Sequence, residues 1–226
     1  AQAATEFAAT GFNLNLAPVV DLDDARSPAI GHFGRAFDRE PVRIVAYAEA
    51  FIDAFAAAGV HCALKHFPGE GHAREDSHKV LPDITATWST TELEPYVGLI
   101  ASGRASIVMT GNVRLSTVDP APVPATLSSA IVTDLLRTGL GFKGVAMTDD
   151  LDMAPIRATT PRDEAVVRAI SAGNDLLMVC NTNNVDPDLP QHVVEWVESA
   201  IGRGVLTEAR IAESADRIRA LKRALA

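Results

Sequence analysis

Between Lys65 and His78 the chain places three histidines, three acids, a lysine and an arginine, interrupted by Pro68, Gly69 and Gly71. Unpaired charge costs several kcal/mol per group to bury, so this stretch does not read as core. Its last three residues, Asp76-Ser77-His78, form a unit for proton transfer. A carboxylate can fix the tautomer of an imidazole and steady its charged form, while the imidazole moves protons near neutral pH. His72, Asp76 and His78 could instead be metal ligands, although their spacing matches no zinc signature. A solvated loop whose histidines merely hydrogen-bond is the third possibility. A second acidic group, Asp149-Asp150, follows the apolar run Val145 to Met147. Adjacent residues in extended chain face opposite ways, so one acid can enter a pocket while the other caps a turn or meets a cation. Strand parity alone does not choose. Asp149 shares a face with Val145 and Met147, and Asp150 with Ala146 and Thr148.

These groups need elements to bring them together. Apolar runs begin near residues 14, 60, 105, 144 and 175 and read as strands; the first spans 14–20 with Pro18 as its weak point. Helical patterns lie between them, over about 1–10, 41–58, 91–102, 127–138, 160–173, 190–201 and 207–224. Pro41 suits a first turn, Thr91-Glu92-Leu93-Glu94 has capping-box form, and Ile211, Ala215, Ile218 and Leu221 make one stripe on the last helix. The alternation predicts an α/β fold with a parallel sheet. Polar residues follow every strand at its carboxyl end: Asp21 and Asp23, Lys65 and His66, Asn112, Asp149 and Asp150, then Asn181. Parallel strands carry all these ends to one face, where α/β proteins build their sites. The opposite turns are short and use Gly11, Gly59, Gly103, Gly144 and Gly173. Five strands fit either an open doubly wound sheet or a (β/α)8 barrel of the TIM type lacking its first strands. The helix remnant at the start favours the barrel.

At 226 residues the expectation is a single domain over 1–226 with a sizeable core. A formal charge of −9 would repel nucleic acid and anionic lipid. No apolar run reaches the ~20 residues of a membrane span, and the first residues carry no signal-peptide pattern. Cys62 and Cys180 both stand in apolar strand contexts, so two buried thiols are expected.

Four segments carry a resemblance. They are Asn15 to Asp21 (NLAPVVD), Lys65 to Gly69 (KHFPG) through Asp76-Ser77-His78, Pro124 to Ser128 (PATLS), and Gly141 to Met153 (GFKGVAMTDDLDM). In this order they resemble glycoside hydrolase family 3, in its β-N-acetylglucosaminidase branch, over essentially the whole chain. The resemblance implies a TIM-type barrel, no cofactor and no metal. It also implies retaining hydrolysis of terminal β-linked N-acetylglucosamine from a glycan or muropeptide. Asp149 matches the family nucleophile, His78 its histidine acid/base and Asp76 that histidine's partner. Lys65 and His66 match residues gripping sugar hydroxyls, and Arg35 looks like the substrate-binding arginine. Retention needs a carboxylate to form the glycosyl-enzyme and a second group that gives and then takes a proton. Three departures stand out: Glu70 and Asn112 occupy positions where the family usually has histidine, and its early D-x-E-G-G-x-V-x-R segment has no counterpart. The chain is thus expected to be an amino-terminally truncated member. A non-catalytic barrel that binds sugar or a partner, and a glycoside phosphorylase on the same site, are the rival readings.

Overall fold

The structure, a computed structural model, describes residues 1–182 and 184–224. Five parallel strands pair in chain order: β1 (Leu14–Asn15), β2 (His61–Phe67), β3 (Ile107–Thr110), β4 (Val145–Asp150) and β5 (Leu176–Met178). A doubly wound sheet reverses its strand order at a switch point, and this one never does. The sheet is a curled half-barrel of the singly wound kind, which settles the choice of architecture left open by strand count.

Helices cover its outer face. α2 (Pro41–Ala56) buries Ile44, Ala48, Ile52 and Phe55, a stripe at helical spacing, with Pro41 in the first turn, where its missing N–H is no loss. This stripe joins Tyr96 and Leu99 of α3 (Glu94–Ala101) over the outward strand residues Cys62, Leu64, Val108 and Ala146. A π-type helix, Ala130–Gly139, adds Ile131, Val132 and Leu136. α1 (Gln2–Ala9) lies beside α2, and the short α4 (Ala154–Arg157) follows β4. α5 (Arg162–Ala172) and α6 (Leu189–Gly202) form a second cluster around Val166, Ile170 and Ala200.

Inward-facing residues make a third cluster: Ala63, Ile107, Met109, Val145 and Met147. Ile218 and Leu221 of the last helix, α7 (Glu208–Arg223), pack against it from the open side. A buried carboxylate fastens this helix. Asp175 accepts hydrogen bonds from Arg210 (3.1 Å), Arg217 (3.0 Å), the Ser214 hydroxyl (2.8 Å) and Arg137.

Four local expectations are corrected. β1 ends at Asn15 because Pro18 lacks a ladder N–H; pairing resumes only as the single bridge of Val19 with Lys65. β2 runs on through Phe67, so Lys65 and His66 belong to a strand. The Thr91–Glu94 capping box does not form. The chain makes a 3-10 turn over Thr90–Leu93, and the buried Glu92 carboxylate is drawn to His72 instead. Cys62 is buried, but Cys180 is exposed, because β5 stops at Met178 and the chain turns out toward Asp150.

Candidate active site

The carboxyl ends of the strands meet on one rim, and Asp21 is its hub. It lies beyond β1, fully buried, and its Oδ1 accepts from the backbone N–H of His66 (3.1 Å) and of Glu70 (2.9 Å). Its Oδ2 meets His66 Nδ1 at 2.7 Å. The contact of Arg35 Nη2 with His66 Nε2, 3.3 Å, is a hydrogen bond only while Nε2 is unprotonated, since a guanidinium has no acceptor. In the neutral ring the proton therefore sits on Nδ1, facing Asp21. Burial works against the charged ring, but the Asp21 carboxylate more than offsets this, and the His66 pKa is raised.

Lys65 and His66 are neighbours in a strand and would ordinarily point to opposite faces. The ladder between β2 and β3 shifts here: Leu64 pairs with Val108, but Phe67 pairs with Thr110. Three steps on β2 thus face two on β3, an irregularity of the kind that re-aims side chains beside active sites. Lys65 follows Ala63 on the inward face, and His66 is turned onto Asp21. Desolvation lowers the Lys65 pKa and the Arg35 guanidinium adds to this, while Asp149 and Asp21 oppose it. Lys65 thus feels the charges of Arg35, Asp149 and Asp21.

Hydrogen bonds, rather than strand parity, tell the two adjacent acids apart: Val145 and Met147 face inward, but the ladder with β5 shifts between Met147 and Asp150, where three steps on β4 face two on β5. Asp149 Oδ1 accepts from the Asp150 N–H at 2.7 Å; among the described residues nothing donates to its other oxygen. Asp150 instead serves the backbone, its Oδ1 accepting from the N–H groups of Asp152 (3.0 Å) and Cys180 (2.9 Å). Asp152, buried, then joins Arg157, Arg162 and the Asn181 N–H. Together these bonds clamp the turn after β4 to the chain after β5.

The Asp76–His78 pair sits apart from this group. Asp76 Oδ1 accepts from the His78 N–H at 3.0 Å and from Nδ1 at 2.8 Å, and Lys79 Nζ lies 3.3 Å from Oδ2. Burial raises the Asp76 pKa, but the bonds from His78 and Lys79 outweigh it and hold the carboxyl below its ordinary range. The His78 side chain is 60% exposed, with Nε2 directed away from its partner. Among the described residues, no hydrogen bond or ion pair joins His78 to Asp149, Lys65 or His66.

His72 Nδ1 lies 2.6 Å from Glu92, and among the described residues no three His, Cys, Asp or Glu side chains converge. Sequence reasoning missed two participants. Asp21 was visible only as one polar residue at a strand end, and Glu92 looked like part of a helix start. The close turn between them was signalled by glycines. A Cβ on Gly69 would stand 2.5 Å from Glu92 Cβ, and one on Gly71 2.2 Å from the Leu22 carbonyl oxygen.

The model of the glycosyl hydrolase family 3 N terminal domain matches residues 1–221. A beta-hexosaminidase of Pseudomonas aeruginosa is 38% identical over 181 residues, which cover 79% of this chain and 53% of that protein. One from Xylella fastidiosa is 37% identical over 211 residues, 90% of this chain and 61% of its own length. The chain therefore spans little more than half the length of these relatives. Among solved structures, a glycoside hydrolase family 3 beta-N-acetylglucosaminidase from Paenibacillus sp. superposes with a TM-score of 0.90 at 33% identity, over 99% of this chain and 42% of that one. A beta-N-acetylhexosaminidase from Beutenbergia cavernae gives 0.85 at 34% identity, over 97% and 65%. The curled five-stranded sheet, the KHFPG strand end and the near end-to-end family match lead to one conclusion: this chain belongs to glycosyl hydrolase family 3, in its N-terminal domain.

Proposed function

We propose that this chain carries the catalytic face of a retaining glycosidase that removes terminal β-linked N-acetylglucosamine. The observation that carries the reading is Asp149 at the rim, near enough for its charge to act on Lys65, with one carboxylate oxygen unengaged among the described residues. A nucleophile needs such an oxygen aimed at the anomeric carbon, and buried cations and amides nearby to hold the sugar. Lys65, His66 and Arg35 are assigned to the sugar hydroxyls. Asp76 orients His78.

In the first step an Asp149 oxygen bonds to the anomeric carbon as the bond to the leaving oxygen breaks. His78 Nε2 gives its proton to that oxygen. In the second, water attacks the same carbon, His78 takes the water's proton, and the Asp149 ester bond breaks. Because Asp76 holds Nδ1, the travelling proton is confined to Nε2. His78 stands at the exposed rim, so substrate must lie between it and Asp149. Catalytic contacts of this sort tighten in the bound complex.

A 5-fluoro N-acetylglucosaminyl fluoride, which keeps the acetamido group at C2, tests the assignment, because its electron-withdrawing fluorine slows both steps while the activated leaving group lets the glycosyl-enzyme accumulate. Incubation should give stoichiometric labelling, with fragmentation placing the sugar on Asp149. Labelling of Asp150, or no labelling while an aryl β-N-acetylglucosaminide is still hydrolysed, would refute the nucleophile.

A further inference from the structure

Asn112 has no part in the steps above, yet it joins the ends of β2, β3 and β4. It is fully buried just past β3, and its side chain reaches across to the turn after β4. Nδ2 donates to the Asp150 carbonyl at 3.1 Å and lies 3.2 Å from Met153 Sδ, while Oδ1 has no donor among the described residues. The amide orientation follows from these contacts, because the reverse would set two oxygens face to face. Behind Asn112 the chain is tied to β2. The Gly111 N–H donates to the Phe67 carbonyl at 2.7 Å, and a Cβ on Gly111 would stand 3.0 Å from His66 Cβ.

We propose that Asn112 is a positioning residue: it holds the Asp150 backbone so that the unengaged oxygen of Asp149 stays aimed at the anomeric carbon. This rests on the glycosidase reading of that site. Pairing between β3 and β4 ends at Thr110 and Thr148, and pairing of β4 with β5 is irregular between Met147 and Asp150. The sheet therefore leaves the direction of Asp149 to local bonds. Asn112 lies two residues past Thr110, as Asp150 lies two past Thr148, so its side chain carries the β3–β4 ladder one step further. Asp150 is then held on both sides of its Cα. Its carbonyl accepts from Asn112 and from the Met153 N–H (3.2 Å), and its own N–H donates to Asp149 Oδ1 (2.7 Å). With Oδ1 engaged, the other oxygen is the one left to attack. Stability alone does not account for an asparagine here. A buried amide oxygen without a donor costs free energy, and the Asp150 carbonyl would keep its Met153 bond if the amide were removed.

Asn112→Leu removes the N–H donor at nearly constant volume. With aryl β-N-acetylglucosaminides, kcat should fall about tenfold or more while KM stays within about twofold, equally for leaving groups that need a proton and those that do not. Labelling of Asp149 by the 5-fluoro glycosyl fluoride should slow by the same factor, with the urea unfolding midpoint little changed. Asn112→His can place its Nδ1–H where Nδ2 stands and should recover most of the rate. An unchanged kcat, a loss confined to KM or to leaving groups that need a proton, or no recovery in Asn112→His overturns the proposal. Two hydrogen-exchange measurements need no substrate, and the first needs no variant. The side-chain amide of Asn112 should exchange slowly in the unaltered protein; exchange as fast as an exposed amide overturns the bond to Asp150. The Asp150 backbone N–H should exchange faster in Asn112→Leu, and an unchanged rate overturns the hold on Asp149. If no glycoside is hydrolysed but both amides behave as described, the glycosidase reading fails while the Asn112 hold on Asp150 stands.

Discussion

At the scale of single residues, four side chains have separable consequences. Asp149→Asn removes the carboxylate assigned as nucleophile, and turnover should fall on the order of 10⁴-fold, as for other deleted nucleophiles. Asp150→Asn keeps an oxygen able to accept the Asp152 and Cys180 N–H groups, so its cost should be small. Steady-state rates of the two variants, measured side by side, check this. His78→Ala should lower turnover by roughly 10² to 10⁴. Leaving groups that depart without a proton should suffer far less, and equal losses across a leaving-group series would remove His78 from the acid role. Glu70 has a pH signature in stability, because burial pushes its carboxyl up. Its carboxyl titrates at about 7 in the fold, against 4.5 in the unfolded chain. Below 4.5 both states are protonated and the group costs nothing. Between these values the native state keeps a proton that the unfolded state has lost, so stability falls as pH rises. Above 7 the full cost remains, about 3 kcal/mol at most. Urea unfolding should therefore show Glu70→Gln gaining on the unaltered protein as pH goes from 4.5 to 8, with little difference at the acid end.

At the scale of elements, the turn after β4 is held by charge. Asp152 is fully buried at its carboxylate and bonded by Arg157, Arg162 and the Asn181 N–H, while Asp150 reaches Cys180. Removing one member of a buried ion pair leaves its partners uncompensated, at about 3–5 kcal/mol. Asp152→Ala should cost near the lower figure, because Arg157 is still partly hydrated. It should also depress kcat more than KM, since it frees the strand end that aims Asp149. Chemical denaturation and steady-state kinetics on the same preparation test both halves. Loss of stability with kcat intact would show that the end of β4 is aimed by the sheet alone.

At the scale of the molecule, α7 is the piece whose position depends on long-range contacts. Ile218 and Leu221 cover the inward cluster, and Asp175 holds Arg210, Arg217 and Ser214 on the helix together with Arg137 beside the sheet. Asp175→Ala should cost roughly 3–5 kcal/mol. The loss should be local first: amide exchange in 208–223 should speed up before exchange in β2, β3 and β4 does. Uniform acceleration across the sheet would mean that α7 and the half-barrel unfold as one unit.

Much of this was legible from sequence, for a physical reason. Alternating apolar periodicities and chain stops are local, so Pro41, Gly173 and the five strand cores suffice to dictate βα units, and parallel strands must carry Asp21, Lys65, His66 and Asp149 to one rim. The Asp76–His78 pair was equally legible, because two residues in one turn need no help from distant chain. Tertiary structure decided what depends on contacts across tens of residues. It set the singly wound strand order and the register shift that turns His66 onto Asp21. It also tied Asp150 to the backbone of Asp152 and Cys180 while leaving one Asp149 oxygen without a donor among the described residues. Glu92 left its helix start for His72, and Cys180 left the core, because a partner 20 residues away or 30 residues away outweighs local propensity. The raised pKa of Glu70 belongs with these: nothing in the order of its neighbours says that the fold will exclude water from a glutamate.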